Sequence, residues 1–348
     1  DPTTFSVVNT VASEESPSDI AANPFTNKVY ISNGYGSNSV TVLDGTDDSI
    51  ITVIPVGSLS SGIAVNPFTN RVYVSNFLSR TVSVINGASD TVQDSVSISG
   101  THGPARLTAD VTSNLLYVAV LNQDKVTVID AADSNRILTE TEVGRASFVV
   151  VVNPFTNLVY VSSDAEGTVK VIEGDPNSPR FASVVDTIAV GAKPFGIAIN
   201  VLTNTIYVVN RKDNTVSVID GNTNNVVATV EVGDNPIMIA VDPISGLVCV
   251  SNQDGDTVSI IAELGPEDLT ELLIQRVNTS RLSNSLGAKL TGALSMQTDG
   301  NPNNDHAACH MLQAFIHQVE AHSGKKIDDE NAAVLIQAAM EIIDLLGG

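Results

Sequence analysis

A repeat of 42 to 47 residues limits what this chain can fold into more than any other feature of its sequence. The strings VYISN at Val29–Asn33 and VYVSN at Val72–Asn76 open a series of six similar strings. The series is anchored at Tyr30, Tyr73, Tyr117, Tyr160, Tyr207 and Cys249. A turn precedes each anchor, and its clearest form, NPFTN, starts at Asn23, Asn66 and Asn153. Asn opens such a turn by bonding its own backbone, and Pro sets the next φ angle.

Each period contains four short strand patterns separated by turn residues. In the second unit they begin at Gly62, Arg71, Thr81 and Asp90. Val and Ile supply most of the apolar residues, which favours strands, and a helical period of 3.6 residues is absent. Four strands in about 43 residues are typical of a propeller blade. The sequence therefore predicts a mainly β fold, a six-bladed β-propeller of four-stranded blades over residues 1–262.

The sixth unit lacks its outer strand, because the sequence after Ile261 no longer reads as a strand. At the other end of the chain, Phe5–Val11 resembles residues 226–232, the outer strand of the fifth unit. We therefore expect this N-terminal strand to close the last blade, which removes an open sheet edge. The same strand could instead be donated to a neighbouring molecule.

The apolar period changes to that of helices over residues 263–348. Leucines recur every four residues at Leu282, Leu286, Leu290 and Leu294, and a further helix is expected from about Asn304 to His322. A segment ahead of these and another after Asp328 also have helical patterns. The sequence predicts a small four-helix module.

The six repeats resemble the YVTN family of β-propellers, and Ala314–Asp328 with the preceding ACHMLQ run resembles the FIMAH domain. The YVTN resemblance covers nearly three quarters of the chain. It implies an extracellular, cell-surface or periplasmic protein that binds or forms scaffolds more often than it catalyses. On this view the chain, which begins at Asp1 without Met, is the mature form after removal of a signal peptide.

The charge of the chain restricts its partners. Lys and Arg number 17 against 39 Asp and Glu, which gives a formal net charge of −22. Such a chain repels nucleic acid, whose binding needs clustered Lys and Arg. No apolar run reaches the roughly 18 residues that a membrane-spanning helix needs. We therefore expect neither a nucleic-acid partner nor a transmembrane segment.

Basic residues concentrate on one rim of the predicted propeller. Aligning the repeats places there, as candidates for a ligand or partner site, His102, Arg106, Arg145, Lys193 and Arg211. Acidic residues share this rim, so a solvated face of mixed sign is the simpler interpretation. If a ligand binds, the channel mouth near Arg106, Arg145 and Lys193 is where we expect it.

Metal candidates in the sequence are weak. Asp254 and Asp256 could offer oxygen ligands to Ca²⁺, although Asp-Gly turns also suit hairpins. His306 and His310 flank Cys309 at spacings that put all three on one helical face, as zinc requires, but a fourth ligand is missing. We expect Cys309 to pack in the module, the histidines to face solvent, and Cys249 to be a buried apolar residue. No cofactor is predicted beyond possible Ca²⁺.

The sequence shows no catalytic constellation. Trp is absent, the propeller holds one His, and we find no motif of a serine hydrolase, P-loop or dinucleotide site. We therefore predict a protein that is not an enzyme and that works through a protein partner or self-assembly, using the strand Phe5–Val11 or the C-terminal helices. The alternative is a propeller enzyme of lyase or quinoprotein type with a site at the channel mouth.

Overall fold

A computed structural model shows how the repeats fold. It describes residues 9–121, 123–132, 135–243, 246–262, 284–298 and 304–323, together with runs of one to three residues between 270 and 277 and between 325 and 346. The chain divides into two compact units, Asp1–Ile261 and Ala262–Gly348. The first unit is the propeller and the second is helical.

The propeller contains 23 described strands, which fall into six groups. Blades one to three hold β1 (Pro17–Asn23), β2 (Lys28–Asn33), β3 (Ser39–Asp44), β4 (Ile50–Pro55), β5 (Ser60–Asn66), β6 (Arg71–Asn76), β7 (Thr81–Asn86), β8 (Thr91–Ser97), β9 (Pro104–Asp110), β10 (Leu115–Val120), β11 (Lys125–Asp130) and β12 (Arg136–Glu142). Blades four to six hold β13 (Ser147–Asn153), β14 (Leu158–Ser163), β15 (Thr168–Glu173), β16 (Val184–Ala189), β17 (Pro194–Asn200), β18 (Thr205–Asn210), β19 (Thr215–Asp220), β20 (Asn225–Glu231), β21 (Pro236–Val241), β22 (Val248–Asn252) and β23 (Thr257–Ile261).

Each blade is an antiparallel meander whose strands pair in chain order. The register repeats from blade to blade: Tyr73 pairs with Ala64 on one side and Val84 on the other. The first strands of successive blades contact one another from β1 to β21. This arrangement confirms the predicted six-bladed propeller of four-stranded blades, with β21–β23 contributing three strands to the sixth blade among the described residues.

Packing between successive blades builds the core. Five clusters of buried apolar side chains each join one blade to the next, from the first blade to the sixth. Both faces of a blade are therefore buried, which explains strands as continuously apolar as β10 and β13. Because each cluster is formed by two neighbours, propeller stability is the sum of such pairwise contacts.

The repeated tyrosine ties its own blade to the following one. Its ring is buried in the cluster between the two blades, and its hydroxyl reaches the turn before the fourth strand of the next blade. Three such hydrogen bonds run from Tyr73 to Ala131 O at 3.5 Å, from Tyr117 to Gly174 O at 3.2 Å and from Tyr160 to Asn224 Oδ1 at 3.3 Å. The strongest signature of the repeat is therefore an inter-blade contact.

The boundary between the sixth blade and the first differs from the other five, and we call it the seam (β21–β23 facing β1 and β2). Among the described residues, no apolar cluster joins these two blades. Ile20 is 63% exposed whereas its counterpart Ile63 is 5% exposed, and Val258 is 62% exposed whereas its counterpart Val216 is fully buried. Cys249 is half-buried, so the expectation that it is a buried residue is wrong. Among the described residues, no apolar cluster joins its side of β22 to another blade.

The predicted closing strand is described only in part. Phe5–Val8 lies outside the described residues. Asn9–Val11 is not in a strand, and the Asn9 side chain donates to Asp48 Oδ2 in blade one at 2.9 Å. Among the described residues β23 therefore pairs only with β22, and closure of the last blade by the N-terminal strand stays a prediction.

The second unit is helical where it is described. Its two bounded helices are α1 (Asn284–Gln297) and α2 (Asp305–His322), which pack together. Leu286 and Leu290 of α1 face Leu312 and Phe315 of α2 in one buried cluster. Helical residues also occur near Leu273 and Leu335, outside these two elements. No helix in the described part of the chain has the length and apolarity to cross a membrane.

Candidate functional site

One rim of the propeller is formed by two kinds of loop, and we call it the upper rim. The loops that enter each first strand lie beside the loops that join the second and third strands. Backbone hydrogen bonds tie them together, from Gly34 N to Ser16 O, from Phe77 N to Leu59 O and from Arg211 N to Lys193 O, at 2.9 to 3.1 Å. The residue before the first strand is left-handed in several blades, as at Lys193 with a φ of 56°.

Lys193 and Arg211, two of the predicted site residues, come together on the upper rim between blades five and six. With Lys212 they line a cavity of about 720 Å³. The other side of this cavity carries the carboxylates Asp234 and Asp254. Three cations and two carboxylates thus face one space, which we call the rim site.

Arg211 is positioned by contacts on two sides. Its guanidinium lies over the Phe195 ring, 5.1 Å from the centroid, in a cation–π arrangement. Phe195 in turn packs against Phe148, with 4.8 Å between ring centroids. Arg211 Nε also donates to Asn235 Oδ1 at 3.3 Å. An aromatic pair from β13 and β17 and an asparagine from the next blade therefore fix this cation.

The carboxylates of the rim site are oriented by asparagines. Asn235 Nδ2 donates to Asp254 Oδ1 at 3.1 Å, and Asn214 Nδ2 donates to Asp234 Oδ1 at 3.0 Å. The two asparagines are themselves linked, because Asn235 N donates to Asn214 Oδ1 at 3.0 Å. A hydrogen-bonded chain thus connects Arg211, through Asn235, to the carboxylate of Asp254.

Of the twelve Lys and Arg residues of the propeller, five form ion pairs; the rim-site cations, like Arg71, Arg80, Arg136 and Arg145, form none among the described residues. Ion pairs at 2.6 to 3.9 Å join Lys28 to Asp90, Arg106 to Asp19, Lys125 to Glu140, Lys170 to Glu166 and Arg180 to Glu173. Among the described residues, Lys193, Arg211 and Lys212 form no ion pair within 4.0 Å. Three cations against the two carboxylates Asp234 and Asp254 give the rim site a small excess of positive charge on an acidic protein.

Arg106 lies apart from the rim site, in the channel formed by the first strands. Its Nη1 forms an ion pair with Asp19 Oδ2 at 2.6 Å and also donates to Ser61 O at 2.9 Å. Asp19 Oδ2 accepts a further bond from Ile63 N at 3.1 Å. Arg106 of blade three thus reaches across blade two to blade one, and its guanidinium is largely occupied by protein groups.

His102 and Arg145 lie on the upper rim but not in the rim site. His102 Nδ1 is 3.0 Å from the hydroxyl of its neighbour Thr101. Arg145 is exposed, and its backbone N donates to Glu166 Oε1 at 3.3 Å. A hydrogen bond from Lys170 is the main cause that lowers the pKa of Glu166 below its ordinary value. The predicted channel-mouth group of Arg106, Arg145 and Lys193 is therefore not brought together.

The residues predicted as metal ligands also lie apart from one another. Asp254 takes part in the rim site, and Asp256 occupies the left-handed position of its turn with a φ of 50°. His306 and His310 are exposed and stack edge to face at 5.1 Å, whereas Cys309 is buried, and that burial raises the pKa of its thiol. Among the described residues, no group of three or more His, Cys, Asp or Glu side chains could hold a metal ion.

Sequence reasoning missed the groups that organise the rim site. Asn214 and Asn235 look like ordinary turn residues in the sequence, and Phe148 and Phe195 look like strand core. One signal was available: two of the six first strands, β13 and β17, carry Phe in second position where the others carry Ser, Ala or Ile. Those two aromatic residues support Arg211.

The propeller is similar in fold to several solved structures. Hydrazine synthase from Kuenenia stuttgartiensis matches with a TM-score of 0.50 and 15% identity, over 74% of this chain and 99% of that one. A functionally unknown protein from Desulfotomaculum acetoxidans DSM 771 matches with a TM-score of 0.65 and 12% identity, over 74% and 86%. The dihydro-heme d1 dehydrogenase NirN in complex with DHE matches with a TM-score of 0.60 and 14% identity, over 75% and 57%. At these identities the likeness shows the propeller fold alone. No curated protein matches the sequence.

The fold is a six-bladed propeller whose upper rim carries a cavity lined by residues of both charges. A family model described as "Lactonase, 7-bladed beta-propeller" matches residues 3–265, so the chain belongs to that family. The described chain shows six sheets where the family description states seven blades. The resemblances to YVTN repeats and to a FIMAH domain stay predictions.

Membership of a lactonase family corrects one prediction from the sequence. The expectation that the chain is not an enzyme is wrong, and the alternative of a propeller enzyme has the better support. The search for contiguous motifs missed this class for a physical reason. A site formed where propeller blades meet draws on loops that are far apart in sequence, so it need not leave a contiguous motif.

Proposed function

We propose that the propeller is an enzyme that hydrolyses a lactone carrying an anionic group, and that it binds this substrate at the rim site. Membership of the lactonase family supports the reaction class. The observation that carries the choice of site is the group of three cations without ion-pair partners beside two oriented carboxylates.

The cations suit both binding and catalysis. Lys193 and Lys212 are compact charges that attract the anionic group of the substrate. Arg211 is held by Phe195 and Asn235, so it can keep its donors aimed at one place. Donors fixed before the reaction stabilise the negative charge that forms on the carbonyl oxygen when water attacks a lactone. We assign that task to Arg211.

A carboxylate completes the reaction. We assign Asp254 as the general base, because Asn235 orients its Oδ1 and leaves Oδ2 to accept a proton. The oxygen of water bonds to the carbonyl carbon while Asp254 takes its proton. The bond from that carbon to the ring oxygen then breaks, and the proton passes to the ring oxygen. The product is a hydroxy acid, which ionises and acidifies the solution.

Acid release from a panel of lactones tests this assignment. Lactones with a free carboxylate or phosphate are compared with uncharged esters of the same compounds, and the anionic forms are expected to react faster at low salt because the rim field attracts them. Asp254→Asn is expected to lower kcat by about 10²- to 10⁴-fold, the usual range for a lost general base. Arg211→Ala is expected to lower kcat/KM by about 10- to 100-fold through lost charge-assisted hydrogen bonds.

Lys125→Ala is the matched control. It also removes a cation from the propeller, but its partner is Glu140 in blade three, away from the rim site. Its kinetics are expected to match those of the unmodified protein. Full activity of Asp254→Asn, or equal loss in Lys125→Ala and Arg211→Ala, would contradict the assignment of the rim site.

The place of action and the partners are part of the same proposal. The YVTN-like repeats support work outside the cytoplasm, either in the periplasm or at the cell surface. Protein contacts through the N-terminal strand or the C-terminal helices remain compatible with an enzyme. Fractionation of the source cells followed by immunodetection tests the location, and a purely cytoplasmic protein would contradict it.

A further inference from the structure

The rim opposite the rim site is formed by the loops that join first to second strands and third to fourth strands, and we call it the lower rim. Within a blade these two loops are tied together by a backbone hydrogen bond, as from Gly45 N to Asn27 O at 2.7 Å in blade one. Four of the first-to-second loops carry a large apolar residue at the same position, namely Phe25, Phe68, Phe155 and Leu202. Each of these side chains is 64% to 72% exposed.

The loops of blades one and two hold their phenylalanines in fixed positions. Asn23 Oδ1 accepts a bond from Phe25 N at 3.0 Å, and Asn66 Oδ1 accepts one from Phe68 N at 3.1 Å. Asn23 Nδ2 also donates to Asn70 Oδ1 at 2.9 Å, which joins the two loops across the blade boundary. The two rings meet edge to face with 5.3 Å between their centroids. They form one apolar surface, which we call the aromatic patch (Phe25 and Phe68).

The loop does not need a phenylalanine in order to form. In blade three the equivalent residue is Thr112, and its backbone N donates to Asp110 Oδ1 at 2.9 Å, as in the other blades. A large apolar side chain that stays in contact with water adds little to the stability of the fold. Exposed apolar residues that are grouped, unlike single ones, are typical of surfaces that bind a partner.

Carboxylates lie beside the aromatic patch. The third-to-fourth loop of blade one contains Asp44, Asp47 and Asp48. This loop is held against the loop of the first ring, because Asn27 Nδ2 donates to Thr46 Oγ1 at 3.0 Å. Among the described residues, none of the three carboxylates forms an ion pair within 4.0 Å.

The cations of the same two blades on the lower rim already have partners. Lys28 Nζ lies 2.7 Å from Asp90 Oδ2. Arg71 Nη1 donates to the carbonyl oxygens of Ala131 and Ala132 at 2.6 and 2.8 Å, so it is directed toward blade three. The surroundings of the aromatic patch therefore combine exposed apolar area with a net negative charge.

We propose that the aromatic patch and the three carboxylates beside it form a docking surface for a protein segment that carries both basic and apolar side chains. The apolar side chains of the partner cover the two rings, and its Lys or Arg residues pair with the carboxylates. Negative charge disfavours the other occupants, because it repels anionic lipid and would meet like charge on a second copy of this chain. The surface lies on the rim opposite the rim site, so docking is independent of lactone hydrolysis.

Fluorescence anisotropy of a labelled peptide in which Arg and Leu alternate tests the proposal on the full-length protein. The peptide is expected to bind, and to bind more weakly as the salt concentration rises. A peptide with Glu in place of Arg is expected not to bind, and one with Ser in place of Leu is expected to bind at least about tenfold more weakly. Failure of the Arg–Leu peptide to bind, or equal binding of the Glu–Leu peptide, would overturn the proposal.

Variants of the aromatic patch locate the peptide. The double variant Phe25→Thr, Phe68→Thr copies the third repeat, so both loops are expected to fold, and peptide binding is expected to weaken by about 10- to 100-fold. Leu78→Thr is the matched control, since it removes a residue of blade two that is 64% exposed but lies on the upper rim. Equal binding by the double variant and Leu78→Thr would show that the peptide binds elsewhere.

A second pair of variants tests the carboxylates. Asp47→Asn keeps the oxygen that accepts a bond from Ser49 N and removes the charge, and it is expected to weaken peptide binding by about two- to fivefold. Glu142→Gln removes an exposed carboxylate at the end of β12 on the upper rim and is expected to bind normally. Equal loss in these two variants would mean that only the overall charge of the protein attracts the peptide, which contradicts a docking surface at the aromatic patch.

Two other results would assign the aromatic patch to a different occupant and so overturn the proposal. Sedimentation of the protein with phosphatidylcholine vesicles, lost in the double Phe variant, would assign it to a membrane surface. A dimer in solution that becomes a monomer in the double variant would assign it to a second copy of this chain.

Discussion

Replacing Tyr117 with Phe isolates the energy of one inter-blade hydrogen bond. The Tyr117 ring is fully buried, and its hydroxyl donates to Gly174 O of the next blade at 3.2 Å. The variant keeps the ring and leaves the carbonyl of Gly174 without this donor. Because an unsatisfied buried polar group costs about 1–3 kcal/mol, we expect the free energy of unfolding to fall by about 1.5 kcal/mol.

Tyr30→Phe is the matched control. Tyr30 is equally buried in the cluster between blades one and two, but its hydroxyl has no hydrogen-bond partner among the described residues. Removing that hydroxyl relieves the cost of burying it, so Tyr30→Phe is expected to be neutral or stabilising.

Urea unfolding followed by far-ultraviolet circular dichroism measures both variants against the unmodified protein, provided that the slope m stays constant. If Tyr30→Phe loses as much stability as Tyr117→Phe, the hydrogen bond from Tyr117 to Gly174 does not account for the lost free energy of unfolding. Ring packing alone would then explain the repeated tyrosine.

Three other outcomes follow from the structure. Burial raises the pKa of Tyr30 and of Tyr160 to about 12. Their contribution to stability is therefore complete below pH 10, where tyrosine is protonated in the unfolded chain as well, and it is lost as the pH rises from 10 to 12. Thermal melting at alkaline pH is expected to show Tm falling over that range. Gly103→Ala would place a Cβ 1.8 Å from Phe77 O, and we expect a loss of about 3 kcal/mol, measured by urea unfolding. Arg106→Met leaves the carboxylate of Asp19 unpaired in the channel, and we expect a loss of about 2 kcal/mol in the free energy of unfolding, measured by urea unfolding.

The sequence was sufficient to predict the propeller because its evidence is repeated. Each of six units carries the same turn, the same anchor position and the same four strands, so an error in one unit is corrected by the others. The register in which Tyr73 pairs with Ala64 recurs at Tyr160, which pairs with Val151. Repetition also misled the prediction for Cys249, which occupies the tyrosine position of the sixth repeat but is only half-buried.

The rim site could be predicted only in part. Aligning the repeats placed Lys193 and Arg211 on the correct rim, since loop position follows from strand order. Their grouping depends on which blades are adjacent in space and on side chains such as Asn235, whose partners lie 19 to 24 residues away in sequence. Arg106 shows the same limit, because only the folded ring brings it to Asp19, 87 positions earlier in the chain.

The seam also decides how the propeller comes apart. A closed ring has no terminal unit, so any blade that unfolds must give up two boundaries at once. Among the described residues no apolar cluster crosses the seam, so the first and the sixth blade each pack through such a cluster on a single neighbour. Opening therefore starts at the two ends, and β21–β23 and β1–β4 are expected to exchange their amide hydrogens ahead of β9–β16 in the middle.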